Sequence, residues 1–214
     1  MFVGHYAVSL AVKSKEREIP LWQLFLAVQF VDILFFTFSF FGIERFNIVP
    51  HYTPSTNFEL VYMPYTHGLA ATLVWGLLTY AVFRLPALGG SKRVALWMAV
   101  AVMSHWVLDL IVHTADLPLL GDNSPKIGLG LWNYPIATFL LEALLLAIGA
   151  WLLLKDNASK KLKRRIIGFV VALVVINAAN LFGPPGGGTE TGLAVTALVL
   201  YFGLAGFAYW AADR

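Results

Sequence analysis

Three polar residues recur at every fourth position within one apolar stretch of the chain, namely His105, Asp109 and His113. On an α-helix, residues four positions apart lie one above the other on the same face. His105 and Asp109 are therefore predicted to bind one metal ion together, as the paired histidines of an HExxH helix do. His113 is predicted to be a ligand, an outer partner of a ligand or an interfacial residue. Asp116, just beyond it, is predicted to be a solvated loop residue.

Other ionisable residues lie in apolar stretches elsewhere in the chain. Charged groups at membrane depth are costly, so they are functional candidates by default. Because the chain has no cysteine, histidine and carboxylate ligands favour zinc, with manganese and iron as alternatives. Asp32 and Glu142 are also candidates for the catalytic carboxylate. The predicted metal ligands are His5, Asp32, His67, His105, Asp109, Glu142 and His113.

The composition indicates which elements must position these residues. The chain is 59% hydrophobic and 13% charged, whereas soluble domains have roughly 25% charged residues. Its mean hydropathy is +0.74, and about 20 apolar residues suffice to cross the ~30 Å core of a bilayer. We therefore predict an all-α, polytopic membrane bundle of about six transmembrane helices, with a short N-terminal half-helix packed inside it. The half-helix is predicted over Phe2–Val12, and the spans over Pro20–Gly42, Thr66–Arg84, Arg93–His113, Trp132–Leu154, Ile166–Phe182 and Gly192–Ala211.

The positions of the positive charges predict the orientation of the helices. Of the 15 lysines and arginines, only Arg45 and Lys126 fall on one side of the predicted bundle. The other side is predicted to be cytoplasmic, with the C-terminal Arg214 on it, in a bacterial inner membrane. The basic run Lys155–Arg165 is predicted to face lipid headgroups rather than nucleic acid. The segment Gly183–Gly188 is predicted to be a tight turn between the last two spans.

This topology places polar residues from separate segments at similar depth. At 1.5 Å per residue, Asp32, His105 and Glu142 each lie ~18 Å above the cytoplasmic ends of their spans. Asp109 lies ~24 Å and His67 ~26 Å above those ends. The topology was assigned from lysine and arginine alone, so this layer is a partly independent indication of one site between the membrane midplane and the outer face.

Several short motifs resemble those of the YdjM-like inner-membrane proteins, which are described as predicted membrane-bound metal-dependent hydrolases. The similar features are Gly4-His5, the intramembrane Asp32, Tyr65-Thr66-His67-Gly68, the run SHWVLD over Ser104–Asp109, and Leu131-Trp132-Asn133 leading to Glu142. They lie within residues 1–155 of a single transmembrane domain over 1–214. The two further membrane helices predicted within 156–214 add no motif.

The order of the candidate ligands is also similar to that in zinc-dependent phospholipase C and the P1-type nucleases, which cleave phosphoesters with clustered metals. This resemblance implies a related site within the membrane. The soluble enzymes have a second HxxxE-type helix, whereas Thr138 stands four residues before Glu142 in this chain. The resemblance therefore leaves open whether one metal ion or two are bound.

The predicted function is metal-assisted hydrolysis of an ester or phosphoester. The metal would lower the pKa of a water molecule toward ~7, and Asp32 or Glu142 would accept its proton. Apolar surroundings favour a lipid or lipid-linked substrate that enters from the bilayer. The alternative is an ion- or proton-coupled transporter that uses the same cluster. A haem protein with His67 and His105 as axial ligands is disfavoured by the accompanying carboxylates.

Overall fold

The computed structural model describes residues 1–88, 90–156, 158–183 and 188–213, and most of these residues are helical. The helices are α1 (His5–Lys15), α2 (Leu21–Val28), α3 (Phe30–Phe40), α4 (Leu69–Phe83), α5 (Lys92–Val112), α6 (Pro135–Leu154), α7 (Lys160–Phe182) and α8 (Glu190–Ala208). Two antiparallel hairpins lie between them, β1–β2 (Arg45–Thr53 and Thr56–Tyr62) and β3–β4 (Leu117–Pro118 and Lys126–Ile127). Arg214 and the centre of the predicted turn at Gly183–Gly188 lie outside the described residues.

Fewer helices than predicted have the length of a membrane span. Within the described residues, α5, α6, α7 and α8 with its extension to Asp213 are long and apolar enough to cross a membrane. The helices α2 and α3 meet this criterion only as a pair, which is bent by 54°. With 15 residues, α4 is about 22 Å long at 1.5 Å per residue, shorter than a full span. The helical membrane character is thus supported by four or five spans, and the count of six is not confirmed.

Two local features account for this difference. Gln29 leaves the helical conformation (φ −102°, ψ 6°), and its buried side chain donates to the Phe2 carbonyl oxygen, which divides the first predicted span into α2 and α3. Before α4 the chain arrives from the β1–β2 hairpin, and Gly68 is extended (φ −72°, ψ 143°). A Cβ atom on Gly68 would lie 2.8 Å from the Pro64 carbonyl oxygen, so this close approach requires glycine. His67 therefore precedes α4 instead of lying in a helix.

The hydrophobic core lies between α1, α2, α5, α6, α7 and the C-terminal half of α8. The short α1 is buried inside the bundle, as predicted for the N-terminal half-helix, and it packs closely on α6 at Gly149. A Cβ atom there would lie 2.7 Å from the Ala7 carbonyl oxygen. The outer faces carry large exposed apolar side chains such as Leu140, Leu144 and Val171. Such extensive apolar surface is suited to contact with lipid.

The helix ends that carry most of the positive charge lie together at one end of the bundle, which we call the basic end. Lys13, near the end of α1, forms a salt bridge of 3.2 Å with Asp213, beyond α8. Arg93, at the start of α5, lies 2.5 Å from the Glu16 carboxylate. These contacts group the helix ends as the charge pattern predicted, while the side of the membrane on which they lie stays a prediction.

Candidate metal centre

His105 and Asp109 are buried on one face of α5. Their exposed fractions are 0% and 2%, and His105 Nε2 lies 3.0 Å from Asp109 Oδ2. The two residues, one helical turn apart, thus lie together on one helix face, as their spacing predicts, while their binding of one metal ion stays a prediction.

Two residues from other parts of the chain complete a compact group. Asp32 lies in the first turn of α3, where the positive end of the helix dipole favours a carboxylate, and its Oδ1 is 3.4 Å from His105 Nε2. His67 Nε2 is 3.2 Å from Asp32 Oδ1 and 3.7 Å from Asp109 Oδ2. We call Asp32, His67, His105 and Asp109 the His–Asp cluster.

The nitrogen–oxygen spacings within the His–Asp cluster are those expected between ligands of one metal ion. Ligand atoms about 2.0–2.1 Å from a tetrahedral zinc ion are about 3.3 Å from one another. The four distances between a histidine nitrogen and a carboxylate oxygen in the cluster are 3.0, 3.2, 3.4 and 3.7 Å, which bracket that value. The ligand atoms that all lie within 4.8 Å of one another form two groups of three residues, Asp32 with His67 and His105, and His5 with His105 and Asp109. A divalent ion here would therefore have a mixed set of histidine and carboxylate ligands.

The backbone fixes which nitrogen of His105 faces the cluster. His105 Nδ1 lies 2.7 Å from the Val28 carbonyl oxygen, which can only accept, so Nδ1 carries a proton and donates it. Val28 is the last residue of α2, and the break at Gln29 leaves this oxygen free of a helical partner. Nε2 makes no hydrogen bond within the described residues, although two carboxylate oxygens lie close by. Only a proton or a metal ion between these atoms removes the repulsion of their electron pairs.

His5 approaches the cluster from α1, on the far side of Asp109. Its Nε2 lies 3.2 Å from Asp109 Oδ1, and its ring stacks on that of His105 with centroids 4.0 Å apart. The amine of Met1 contacts the same Asp109 oxygen. Two ligand groups can be drawn, one with His5 and one with Asp32 and His67, and both include His105. Because His105 offers only Nε2, these groups describe one shared centre and favour one ion.

Glu142 lies beside the cluster and outside both ligand groups. It is 1% exposed on α6, and its Oε2 accepts hydrogen bonds from the backbone N–H groups of Phe2 (3.1 Å) and Gly4 (2.8 Å). These two bonds hold the carboxylate in place at the edge of the cavity described below. Glu142 is thus placed to accept a proton near the cluster.

His113 lies at the C-terminal end of α5, next to Asp109. Its Nε2 is 3.6 Å from Asp109 Oδ2, its Nδ1 donates to Asp116 Oδ1 at 2.9 Å, and its ring packs on Trp132. In this position His113 is suited to be an outer partner of the cluster, with the orientation of its ring set by the Asp116 carboxylate. Asp116 is only 8% exposed, so the prediction that it is a solvated loop residue is wrong. The loop after α5 folds back on the helix end, where the N–H of Gly130 donates to the His113 carbonyl oxygen.

Tyr201 of α8 is a site residue that sequence reasoning missed. Its hydroxyl group donates to Asp32 Oδ2 at 2.9 Å, and its side chain lines the same cavity. It lies outside residues 1–155, to which the motifs are confined. A tyrosine within an apolar helix was a signal in the sequence, but such residues are also ordinary at membrane interfaces.

A cavity of about 750 Å³ opens onto the His–Asp cluster. Its polar floor includes Asp32, His67 and Asp109, with Glu142 beside them. Its walls are largely apolar and come from α3, the β1–β2 hairpin, α7 and α8; they include Phe36, Phe58, Leu181, Leu193, Leu200 and Tyr201.

Comparison with models of known families, with curated proteins and with solved structures found no match to this chain. The resemblance to the YdjM-like proteins therefore stays a prediction that rests on short motifs. Function is therefore inferred from the geometry of the cluster and its cavity.

Proposed function

We propose that this chain is a membrane-embedded, metal-dependent hydrolase that cleaves an ester or phosphoester of a lipid or lipid-linked molecule. The observation that carries the proposal is the buried His–Asp cluster, whose histidine nitrogens and carboxylate oxygens lie at the spacing of metal ligands and which borders a large cavity. Zinc is the first candidate because nitrogen and oxygen ligands at this spacing suit it, with manganese or iron as alternatives.

The two catalytic candidates have different surroundings, which suggests different roles. A bound divalent ion would polarise the ester and make water a better nucleophile. Asp32 has one oxygen beside His67 and His105 and the other bonded to the Tyr201 hydroxyl, so it is suited to hold the ion. Glu142 lies at the cavity outside this arrangement, so we assign it the role of the base that accepts a proton from water.

The cavity supports a lipid or lipid-linked substrate. Its volume of about 750 Å³ lies within the range of roughly 300–1,000 Å³ that is common for small-molecule sites. An ester bond at the polar floor would leave an attached chain against apolar walls such as Phe36 and Leu200. The outer ends of α7 and α8 border the cavity, and their other faces are apolar and exposed.

The packing beneath the cluster favours an enzyme over a transporter. Between the cluster and the basic end, Leu10, Val28, Val102 and Leu146 are no more than 1% exposed and belong to one continuous core. A transporter needs its site to communicate with both faces of the membrane. The cavity, in contrast, is lined by the β1–β2 hairpin, by residues near the cluster and by parts of α7 and α8, and none of the described residues that line it belongs to the basic end.

The test is to measure metal content and hydrolysis on the same purified protein in detergent. Wild-type protein should retain about one divalent ion per chain and hydrolyse at least one member of a panel of phospholipids, lipid-linked phosphoesters and carboxylic esters. Glu142→Gln should keep the metal and lose roughly 100-fold or more in rate. Glu59→Gln is the matched control, because Glu59 lies on β2 and bonds to Asn47, away from the cluster.

Two results would contradict the hydrolase. One is metal-loaded wild-type protein that hydrolyses no member of the panel but supports metal-dependent flux in liposomes, which would leave the transporter as the better function. The other is wild-type protein that neither retains nor takes up a divalent ion.

A further inference from the structure

Glu44 is a buried carboxylate in the loop between α3 and β1. It is hydrogen-bonded to Thr66, and Thr66 in turn contacts His67. Its Oε1 accepts from the backbone N–H groups of Tyr65 (2.8 Å) and Thr66 (3.0 Å), and its Oε2 accepts from the Thr66 hydroxyl group (2.6 Å). Burial raises the pKa of the Glu44 carboxyl, and these donated hydrogen bonds oppose that shift. The ionised form can accept all three bonds at once.

The direction of these bonds determines the tautomer of His67. The Thr66 hydroxyl has a single proton, which it donates to Glu44. Thr66 Oγ1 also lies 2.9 Å from His67 Nδ1, so at this contact the hydroxyl must accept and Nδ1 must donate. In the neutral ring, which is the form that binds a metal ion, His67 Nε2 then carries no proton, and it is the atom that lies beside Asp32 and Asp109.

We propose that Glu44 is a positioning residue that fixes the metal-binding tautomer of His67 through the hydroxyl group of Thr66. This inference rests on the metal-dependent function proposed above. It assigns a role to a residue that touches neither the cluster nor the cavity floor.

His67 needs this additional partner because a hydroxyl group can reverse its direction. The Nδ1 atoms of His105 and His113 face a carbonyl oxygen and a carboxylate, which only accept, so their orientation is settled directly. The Thr66 hydroxyl group can donate to His67 Nδ1 or accept from it, and only a second acceptor next to Thr66 decides between these two directions. Glu44 supplies that acceptor.

The substitution Glu44→Gln separates this role from simple packing, because it preserves size and shape. The amide oxygen can accept the two backbone N–H bonds, which turns the amide nitrogen toward Thr66 as a donor. The Thr66 hydroxyl then donates to His67 Nδ1, and the ring proton moves to Nε2. That proton occupies the atom that must bind the metal.

The experiment measures zinc affinity by competition with a chromophoric chelator, together with the His67 tautomer by ¹⁵N NMR of the zinc-free protein. Glu44→Gln should bind zinc about 10- to 100-fold more weakly and show protonated Nε2, while Glu59→Gln should match wild type in both measurements. Thr66→Val removes the hydroxyl and should also weaken zinc binding, whereas Thr66→Ser retains it and should stay close to wild type.

Wild-type zinc affinity in Glu44→Gln, or weakened affinity with an unchanged His67 tautomer, would overturn the inference. Should Glu44→Gln fail to fold, wild-type affinity in Thr66→Val would overturn it equally. Zinc binding without hydrolysis of any ester would remove the proposed enzyme but leave the role of Glu44 supported by these variants.

Discussion

The basic end and the His–Asp cluster both bury carboxylates, but they compensate the negative charge differently. At the basic end, Asp213 pairs with the Lys13 ammonium group at 3.2 Å and accepts from the backbone N–H of Trp22 at 3.2 Å. Each oxygen of Asp213 thus faces a group that brings its own proton. In the cluster, Asp32 Oδ1 and Asp109 Oδ2 face imidazole nitrogens, at least one of which has its proton on the far side of the ring.

This difference separates a structural ion pair from a binding site. The pair at the basic end is complete as it stands, whereas the cluster has more acceptors than donors. The Met1 amine contacts only Oδ1 of Asp109. Among the described residues, Asp109 Oδ2 and Asp32 Oδ1 face histidine nitrogens, which are positive only when they are protonated. Because uncompensated charge is costly away from water, the cluster requires a cation or protons.

The largest difference in zinc affinity between the two regions is expected when one carboxylate in each region is neutralised. Asp109→Asn removes a proposed ligand and should lower zinc affinity by more than about 100-fold, since losing a ligand costs more than losing an outer partner. Asp213→Asn should retain wild-type affinity. Metal analysis after gel filtration measures both, and equal metal content in the two variants would contradict the distinction.

Asp32→Asn tests whether the cluster holds a metal or transfers protons. As a ligand variant it should abolish hydrolysis and weaken zinc binding, and excess zinc should partly restore activity. A proton-relay role predicts uncoupled transport with the bound metal unchanged. Rates measured across a zinc titration distinguish these outcomes, and full metal retention in Asp32→Asn would argue against the ligand role.

Removing the metal should destabilise wild-type protein, because the ion binds the folded chain. At free zinc of 100 times Kd, binding contributes about 2.7 kcal/mol to the free energy of unfolding. A chelator should therefore lower the Tm of wild type and of Asp213→Asn by several degrees, and leave that of His105→Ala unchanged. Thermal unfolding in detergent with and without chelator measures the effect, and an equal shift in His105→Ala would place the metal elsewhere.

Tyr201→Phe sharpens the comparison because it leaves every proposed ligand in place. It removes the hydrogen bond to Asp32 Oδ2, so zinc affinity should fall by about 10-fold, at the lower end of the effect of an outer partner. Tyr209→Phe, beyond the end of α8 and half exposed, is the matched control. Equal affinities in the two variants would show that Tyr201 does not orient Asp32.

The smallest expected effect is the loss of the ion pair at the basic end. Asp213→Asn should lower the free energy of unfolding by about 1 kcal/mol, because Lys13 keeps its hydrogen bonds to the carbonyl oxygens of Arg17 and Ile19. Denaturant unfolding with bound metal measures this change. A loss of metal in the same variant would mean that the two regions are coupled.

Sequence reasoning succeeded where the physical cause is local. The four-residue spacing of His105 and Asp109 follows from the period of one helix, and the apolar stretches follow from composition along the chain. It failed where distant segments decide. The break at Gln29 depends on a contact with Phe2, and the burial of Asp116 depends on a loop that folds back over α5.

The sequence by itself therefore determined a largely helical protein with helices long and apolar enough to cross a membrane and a His105–Asp109 pair on one of them, because hydropathy and helical period need no partner. The tertiary structure showed that Asp32 and His67, which the sequence predicted at similar depth, contact that pair, and it alone decided that Glu142 lies outside the ligand groups. It also decided the protonation of the ring nitrogens, because a hydrogen bond has a direction that only its acceptor sets. The acceptor for His105 lies 77 residues away along the chain, and Glu44, which sets the direction of the Thr66 hydroxyl group beside His67, lies 22 residues from Thr66.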